Sequence, residues 1–222
     1  MSALHSLQQH LQGIIPAARL EATPLPDCRS IRLWLLNADY PQGDLTPQEV
    51  QRAMDNPLYW VFCWASGQVL ADFIARNPQT VAGKRVVDFG CGSGVVAVAA
   101  AQAGAAHVIA CDSDPFALAA AAANAELNGV TLTLAQDYDA IDGTIDLVIV
   151  ADVLYDSSNF HWPQRFLQRA EQVLIADSRV KDFNFPAYRQ IAQRRSCTVP
   201  DLDESAEFRE VRIYLADAGR QA

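Results

Sequence analysis

The run from Lys84 to Ala151 constrains the fold more than any other part of the chain. Short apolar stretches rich in Val and Ile alternate there with Ala-rich stretches of helical length. The spacing predicts strands at Lys84–Phe89, His107–Cys111, Thr131–Ala135 and Ile145–Ala151, with helices at Gly94–Ala103 and Pro115–Leu127 between them. Links this short leave room for one helix between successive strands. That is the requirement for parallel pairing, with the helices laid on the faces of the sheet. Downstream, Pro163–Gln172 reads as a helix and Val173–Ala176 as a strand. Ser196–Val199 and Arg209–Ala216 read as two closing strands around a turn-rich acidic loop. The expected architecture is therefore α/β: a Rossmann-like, doubly wound, seven-stranded, mostly parallel sheet with an antiparallel C-terminal hairpin.

The N-terminal part has a different texture. Leu4, Leu7, Leu11 and Ile14 recur at helical spacing over residues 4–15. Ile31–Leu36 reads as extended. The polar segment 37–58 reads as a loop with one short helix over Thr46–Met54, capped by Thr46 with Pro47 at its first position. Residues 1–56 are taken as an N-terminal helical arm and 57–222 as the main domain. Residues 66–77 should open that domain with a helix.

Half of the 222 residues are hydrophobic, enough for a real core, and no apolar run reaches membrane-spanning length. Residues 1–18 lack Lys and Arg, which does not fit a secretory or organellar leader. A cytoplasmic location is expected. A net charge of −9 offers little material for a basic face, so a protein or small molecule is a better partner than nucleic acid. The five cysteines are widely spaced, with no CxxC pair and no Cys/His cluster. They read as reduced thiols, and no metal is expected. Oligomeric state is not legible.

The chemistry centres on Val86–Gly94, VVDFGCGSG. Glycines at 90, 92 and 94 let backbone approach a ligand closely, and the helix that follows presents free N–H groups. A dinucleotide loop needs its third glycine three residues after the second, where this chain has Val95. Asp88 would also face a pyrophosphate unfavourably. A ligand with a positive end suits it better, and S-adenosylmethionine carries a sulfonium and an ammonium but no phosphate. Asp112 ends the next strand, where a carboxylate can accept from both ribose hydroxyls; the bland alternative is helix capping before Pro115, which suits Asp114 better. Asp137 and Tyr138 follow the third strand and are placed to meet an adenine, Tyr138 through backbone or ring. An ordinary polar loop is the alternative. Asp152 and Tyr155 follow the fourth strand, an acceptor and a polar aromatic wall at the sheet's carboxyl edge. Trp60 and Trp64, four apart, could share a helix as core.

Val86–Gly94, Cys111–Pro115, Asn124–Gly129 and Asp152–Tyr155 resemble the signature blocks of class I methyltransferases. The D-x-x-Y block narrows this to the family 16 protein methyltransferases. Pro57–Gln68, PLYWVFCWASGQ, is similar to the P-x-Y-W-x-x-x-W-x-x-G-Q block of the electron-transfer-flavoprotein beta-subunit lysine methyltransferases. Ile31–Leu36 and Arg169–Asp177 share that likeness, which covers about residues 30–180. The ribosomal protein L11 methyltransferases share Ala121–Gly129, but typically carry an N-P-P-Y-like block where this chain has Asp152-Val-Leu-Tyr. The resemblance implies a protein-lysine methyltransferase acting on the flavoprotein subunit. In it Asp152 and Tyr155 are catalytic, and Trp64, Asp88, Gly90, Gly92, Gly94, Asp112, Asp137, Tyr138 and Asp152 hold S-adenosylmethionine. Another protein or a small molecule as acceptor, a non-catalytic donor-binding module, and an NAD-dependent oxidoreductase are the competing readings.

Overall fold

A computed structural model describes residues 3–40 and 45–219. Residues 41–44 of the loop expected over 37–58 lie outside the described residues. The first strand of the main sheet, β3 (Arg85–Phe89), is central, with neighbours on both sides. We number the elements in chain order: α1 Ala3–Ile14, β1 Leu20–Pro24, β2 Arg32–Leu36, α2 Pro47–Asp55, α3 Ala65–Arg76, β3, α4 Val95–Gln102, β4 His107–Cys111, α5 Pro115–Leu127, β5 Thr133–Ala135, β6 Ile145–Ala151, α6 Trp162–Phe166, β7 Ala170–Asp177, β8 Arg189–Arg195 and β9 Glu210–Asp217. The strand order is β5-β4-β3-β6-β7-β9-β8. β3 to β7 are parallel; β9 runs antiparallel to both β7 and β8. The order reverses at β3, between β4 and β6. In sheets of this kind the crevice beyond the carboxyl ends at that switch point receives ligands.

One face of the sheet has the expected helical cover. Leu147, Ile149, Leu174, Ala176, Val211 and Ile213 pack there against α3 and α4. The other face is different. α6 is five residues long, and the strand β7 begins at Ala170, inside the helix expected over Pro163–Gln172. Ile145 pairs with Ala170, so ladder formation along the full length of β6 claims residues whose local pattern is helical. Aromatic side chains cover what helices would. Tyr138 and Phe166 are buried over Val148, Val150, Val173 and Ile175, and Trp162, Phe183, Phe185 and Tyr188 close the layer. Rings of this size bury enough area for a few of them to replace a helix.

The closing hairpin forms, but its first strand is β8 at 189–195 rather than Ser196–Val199. Val199 instead exchanges both backbone hydrogen bonds with Cys63, at 2.8 Å each, and Gln68 Nε2 donates to the Cys197 carbonyl at 2.6 Å. The segment therefore serves as a tie to the start of α3.

The arm contains a strand absent from the sequence expectation, β1, which pairs antiparallel with β2 in a separate two-stranded sheet. α2 starts where expected: Thr46 and Glu49 form a reciprocal capping box with Pro47 first in the helix. The arm is not loosely appended. Leu7, Leu11, Ile14, Leu36 and Trp60 share a core with Ala117, Ala120 and Ala123 of α5. Among the described residues no helix is long and apolar enough to cross a membrane. All five cysteines are free thiols, and all but Cys197 are buried.

Candidate active site

The glycine loop leaves β3 and is tied at once to β4: the N–H groups of Gly90 and Cys91 both donate to the Cys111 carbonyl, at 2.8 and 3.1 Å. Two of its glycines are sterically required. A Cβ on Gly90 would lie 2.6 Å from Val153 Cγ2, and one on Gly94 would lie 2.8 Å from Ala121 Cα; both residues have positive φ. Gly94 caps α4, and its closeness to Ala121 seats α4 against α5. The contact with Gly90 brings the segment after β6 over the loop. Asn124 adds a second clamp. Its Nδ2 donates to the Ser93 carbonyl at 2.8 Å, and its Oδ1 accepts from Trp34 N at 2.6 Å. The arm thus touches the donor loop through one side chain.

Asp88 is 2% exposed and turns inward, its Oδ2 accepting from Ala97 N in the first turn of α4 at 2.9 Å. It braces the loop from beneath rather than facing a ligand directly, and its charge acts through the field. Burial pushes its carboxyl up to about 7, against the pull of the Ala97 N–H and with Asp112 adding repulsion. Asp112 stands at the end of β4. It accepts from Gly92 N and from Asp114 N, each at 3.0 Å, and burial raises its carboxyl despite both bonds. Asp114 is the cap of α5, accepting from Phe116 N at 2.8 Å, as its spacing before Pro115 suggested.

Asp137 is exposed beyond β5, its Oδ1 accepting from Asp139 N. Tyr138 departs from expectation. Its ring is 2% exposed and packs edge-on against Phe89, Trp162 and Phe166, with the Arg169 guanidinium over it. The Tyr138 carbonyl is occupied as well, by Arg169 Nη1. The apolar layer on the second face claims that ring, so of the two contacts expected of Tyr138 the ring is the one the packing disfavours. Trp60 and Trp64 do not share a helix. Trp60 lies in a 3-10 turn over Tyr59–Val61 and is buried under the arm, whereas Trp64 is the N-cap residue of α3 and half-buried.

Asp152 adopts φ +52°, left-handed backbone that Asp tolerates better than most residues. Its carboxylate accepts three hydrogen bonds: Ser66 Oγ at 2.6 Å and Ser178 Oγ at 3.1 Å on Oδ1, and Ser66 N at 3.1 Å on Oδ2. Burial raises its carboxyl, and those three bonds and Arg179 oppose the rise. A carboxylate has about four acceptor directions, so roughly one stays open. Neither serine was singled out by sequence reasoning, although Ser66 lies inside the quoted 57–68 block. Asp177, at the end of β7, is a carboxylate that sequence reasoning also missed. Burial pushes it up to about 6, with repulsion from Asp152. Tyr155 is exposed, and its ring centre lies 5.8 Å from that of Tyr59. Burial of the hydroxyl, with Tyr59 beside it, pushes the phenol up to about 12, so it stays protonated.

Three carboxylates thus converge where β3, β4 and β6 end, two of them close enough to repel each other. Among the described residues, the cation that pulls against the rise at Asp152 is Arg179, which is itself paired with Glu204. Such a basin favours a cationic ligand and disfavours a pyrophosphate.

Known proteins place this geometry. A family model for ribosomal protein L11 methyltransferase (PrmA) matches residues 74–158, the stretch from the end of α3 through the D-x-x-Y block. An electron transfer flavoprotein beta subunit lysine methyltransferase of Xenopus laevis is 35% identical over 197 residues, covering 85% of this chain and 79% of that protein. A ribosomal protein L11 methyltransferase of Dechloromonas aromatica is 36% identical over 126 residues, 56% of this chain and 41% of that protein. Among solved structures, magnesium protoporphyrin IX methyltransferase (ChlM) from Synechocystis PCC 6803 with bound SAM superposes with a TM-score of 0.55 at 20% identity. It covers 81% of this chain and 88% of that one, and the likeness is one of fold.

Proposed function

The chain belongs to the electron transfer flavoprotein beta subunit lysine methyltransferases, and from that premise we propose that it transfers a methyl group from S-adenosylmethionine to a lysine of that flavoprotein subunit. The observation that carries the reading is the meeting of a glycine cradle, a ribose-type carboxylate and Asp152 at one switch point. The L11 likeness spans residues 74–158 by the family model and 126 residues in the Dechloromonas relative. The flavoprotein relative extends over most of the chain, which supports it over L11.

The residues present fit the donor. Gly90 and Gly94 let the loop seat against Val153 and Ala121, Gly92 has open space where a Cβ would stand, and the carboxylates suit a cation. When bound, S-adenosylmethionine supplies a methyl group already activated by a positive sulfur, so the protein mainly aligns and desolvates the partners. Asp112 takes the ribose hydroxyls; Gly92 stays close to it through their hydrogen bond. Asp137 is assigned to the adenine edge and Trp64 to the wall of the donor pocket. Asp152 is held rigid by Ser66 and Ser178, and its open acceptor direction takes an N–H of the acceptor amine. Lysine is mostly protonated at neutral pH, with a model value near ~10.4. Its proton leaves to water before transfer, and Asp152 then orients the freed lone pair. Tyr155 flanks the entering side chain as a protonated phenol. We place the protein in the cytoplasm, consistent with five free thiols.

Mass spectrometry of the flavoprotein beta subunit after incubation with enzyme and donor tests the acceptor. The expected result is a lysine peptide heavier by whole methyl groups; label found only in small molecules or only in L11 would replace the assignment. Asp112→Ala is expected to weaken S-adenosylhomocysteine binding by about tenfold, since hydrogen bonds to a charged group are lost. Calorimetry checks this, and unaltered affinity removes Asp112 from the ribose.

Donor binding should also depend on pH. The ionised form of Asp88 attracts the cation, and in the free protein that carboxyl sits at about 7. Affinity for S-adenosylmethionine is therefore full above pH 8 and declines as pH falls through 7, by about tenfold at pH 6. Below pH 7 binding releases a proton. Asp88→Asn should flatten the profile; a wild-type profile that is already flat argues against any charge on Asp88 reaching the ligand.

A further inference from the structure

The described surface carries six large exposed apolar side chains, and two of them, Tyr59 (48% exposed) and Tyr155 (56%), touch each other beside Asp152. Scattered exposed rings need no explanation; paired ones at a reactive carboxylate do. Tyr59 is also 6.1 Å, centre to centre, from Trp64, with the planes tilted by 58°, and its planes meet those of Tyr155 at 50°. The Trp64 indole N–H donates to the Tyr59 carbonyl at 3.1 Å, which fixes the turn that presents Tyr59. Trp64 caps the helix whose second residue, Ser66, grips Asp152. The three rings and the carboxylate are therefore one mechanical unit. None of these rings completes the core: Trp64 is half-buried, and the other two stand in solvent.

We propose that Tyr59, with Trp64 and Tyr155, forms an aromatic cleft that captures the acceptor side chain as an ammonium on an alkyl stem, Tyr59 being a specificity-determining residue. The inference rests on the lysine-methyltransferase reading above. Ring faces carry negative potential and attract ammonium groups, while their apolar surface takes the methylene stem. The cluster already accommodates a cation on one side: the Arg179 guanidinium carbon lies 5.9 Å from the Trp64 ring centre. That side is taken, and the Tyr59 and Tyr155 faces remain for the substrate. Capture occurs in the protonated form that predominates at neutral pH. The exposed position of Tyr59 leaves the ammonium in contact with water, to which its proton departs before the amine reaches Asp152. A flat nucleobase would find the same rings, but the attached phosphates would meet the carboxylates Asp112 and Asp152.

The test uses full-length protein saturated with S-adenosylhomocysteine and two small probes, n-butylammonium and its neutral analogue 1-butanol, titrated against the tyrosine ring signals by NMR. Wild type should bind the cation at least about threefold more tightly than the alcohol. Tyr59→Ala should remove that preference, and Tyr59→Phe should keep it, because the ring face and not the hydroxyl carries the attraction. With the acceptor protein, Tyr59→Ala should raise KM at least about threefold and change kcat less. S-adenosylhomocysteine affinity within twofold of wild type, roughly the precision of the comparison, certifies that the variant is folded. Equal binding of cation and alcohol by wild type, or a preference that survives Tyr59→Ala, overturns the cleft. Failure of wild type to methylate the flavoprotein subunit would instead overturn the acceptor assignment, and the titration scores the cleft independently.

Discussion

Asp152→Asn lowers methyl transfer by about a hundredfold or more, while S-adenosylhomocysteine affinity stays within about threefold of wild type. The reasoning starts from the backbone. Asp152 sits at φ +52°, where Asn is the other residue best tolerated, so the exchange adds little strain; Ala at the same place would confound chemistry with backbone cost. The side chain keeps its length, and the serine hydroxyls can reorient toward the amide. Two properties change. The negative charge facing the acceptor amine disappears, and the acceptor on the Oδ2 side becomes a donor in at least one rotamer, opposing Ser66 N. Both losses fall on the acceptor rather than on the donor, whose ribose carboxylate and glycine cradle lie on β4 and β3. Single-turnover measurements at saturating donor separate the two. Ser66→Ala is the companion variant. It deletes the 2.6 Å bond and leaves the backbone N–H in place, and should reduce turnover by only about fivefold, a loss of one hydrogen bond's worth of positioning. Wild-type turnover in Asp152→Asn would take this carboxylate out of the reaction.

The second large effect is steric. Gly94→Ala should destabilise the protein by about 2–5 kcal/mol and weaken donor binding more than tenfold. The added Cβ meets Ala121 Cα and Cβ at 2.8 Å, and the clash is with helix backbone, which cannot rotate away. Left-handed backbone at φ +76° adds its own cost for a residue with a Cβ. Relief requires α4 and α5 to separate. That movement loosens the Ala97 N–H from Asp88 and the Ser93 carbonyl from Asn124, the two bonds that shape the donor loop from below and behind. Gly92→Ala is the control. Its φ is +49° but no atom lies within 4 Å of the new Cβ, so only the conformational term applies, about 1–2 kcal/mol. Thermal unfolding of the two variants gives the stability comparison, and calorimetry of Gly94→Ala gives its donor affinity. Equal losses of stability at 92 and 94 would mean that packing between α4 and α5 contributes nothing there.

Much of this molecule is legible in its sequence. β3, β4, β6, α4 and α5 lie within a residue or so of their expected bounds, because their apolar runs have the right period and their ends carry Gly, Asp or Pro signals. Asp112 and Asp114 could be told apart from spacing, and the structure gives Asp114 the cap and Asp112 the glycine loop. The errors share a cause. α6 is shorter than its pattern predicts, and β8 lies at 189–195 instead of 196–199, because both segments take their state from a partner strand far away in sequence rather than from their own pattern. β1 went unnoticed for the same reason: LEATP has little alternation and exists because β2 pairs with it.

What the sequence determined by itself was therefore local: an alternating α/β chain, the glycine turn, the acids at the strand ends and the likeness that narrows the chemistry to lysine methylation. What only tertiary structure decided was direction and company. It turned Asp88 inward and Tyr138 into the aromatic layer, parted Trp60 from Trp64, and set Ser66, Ser178 and Tyr59 around Asp152. The physical reason is that burial and hydrogen-bond partners of a polar side chain depend on segments far away in sequence, 86 residues in the case of Ser66 and Asp152, and no local periodicity records such a distance.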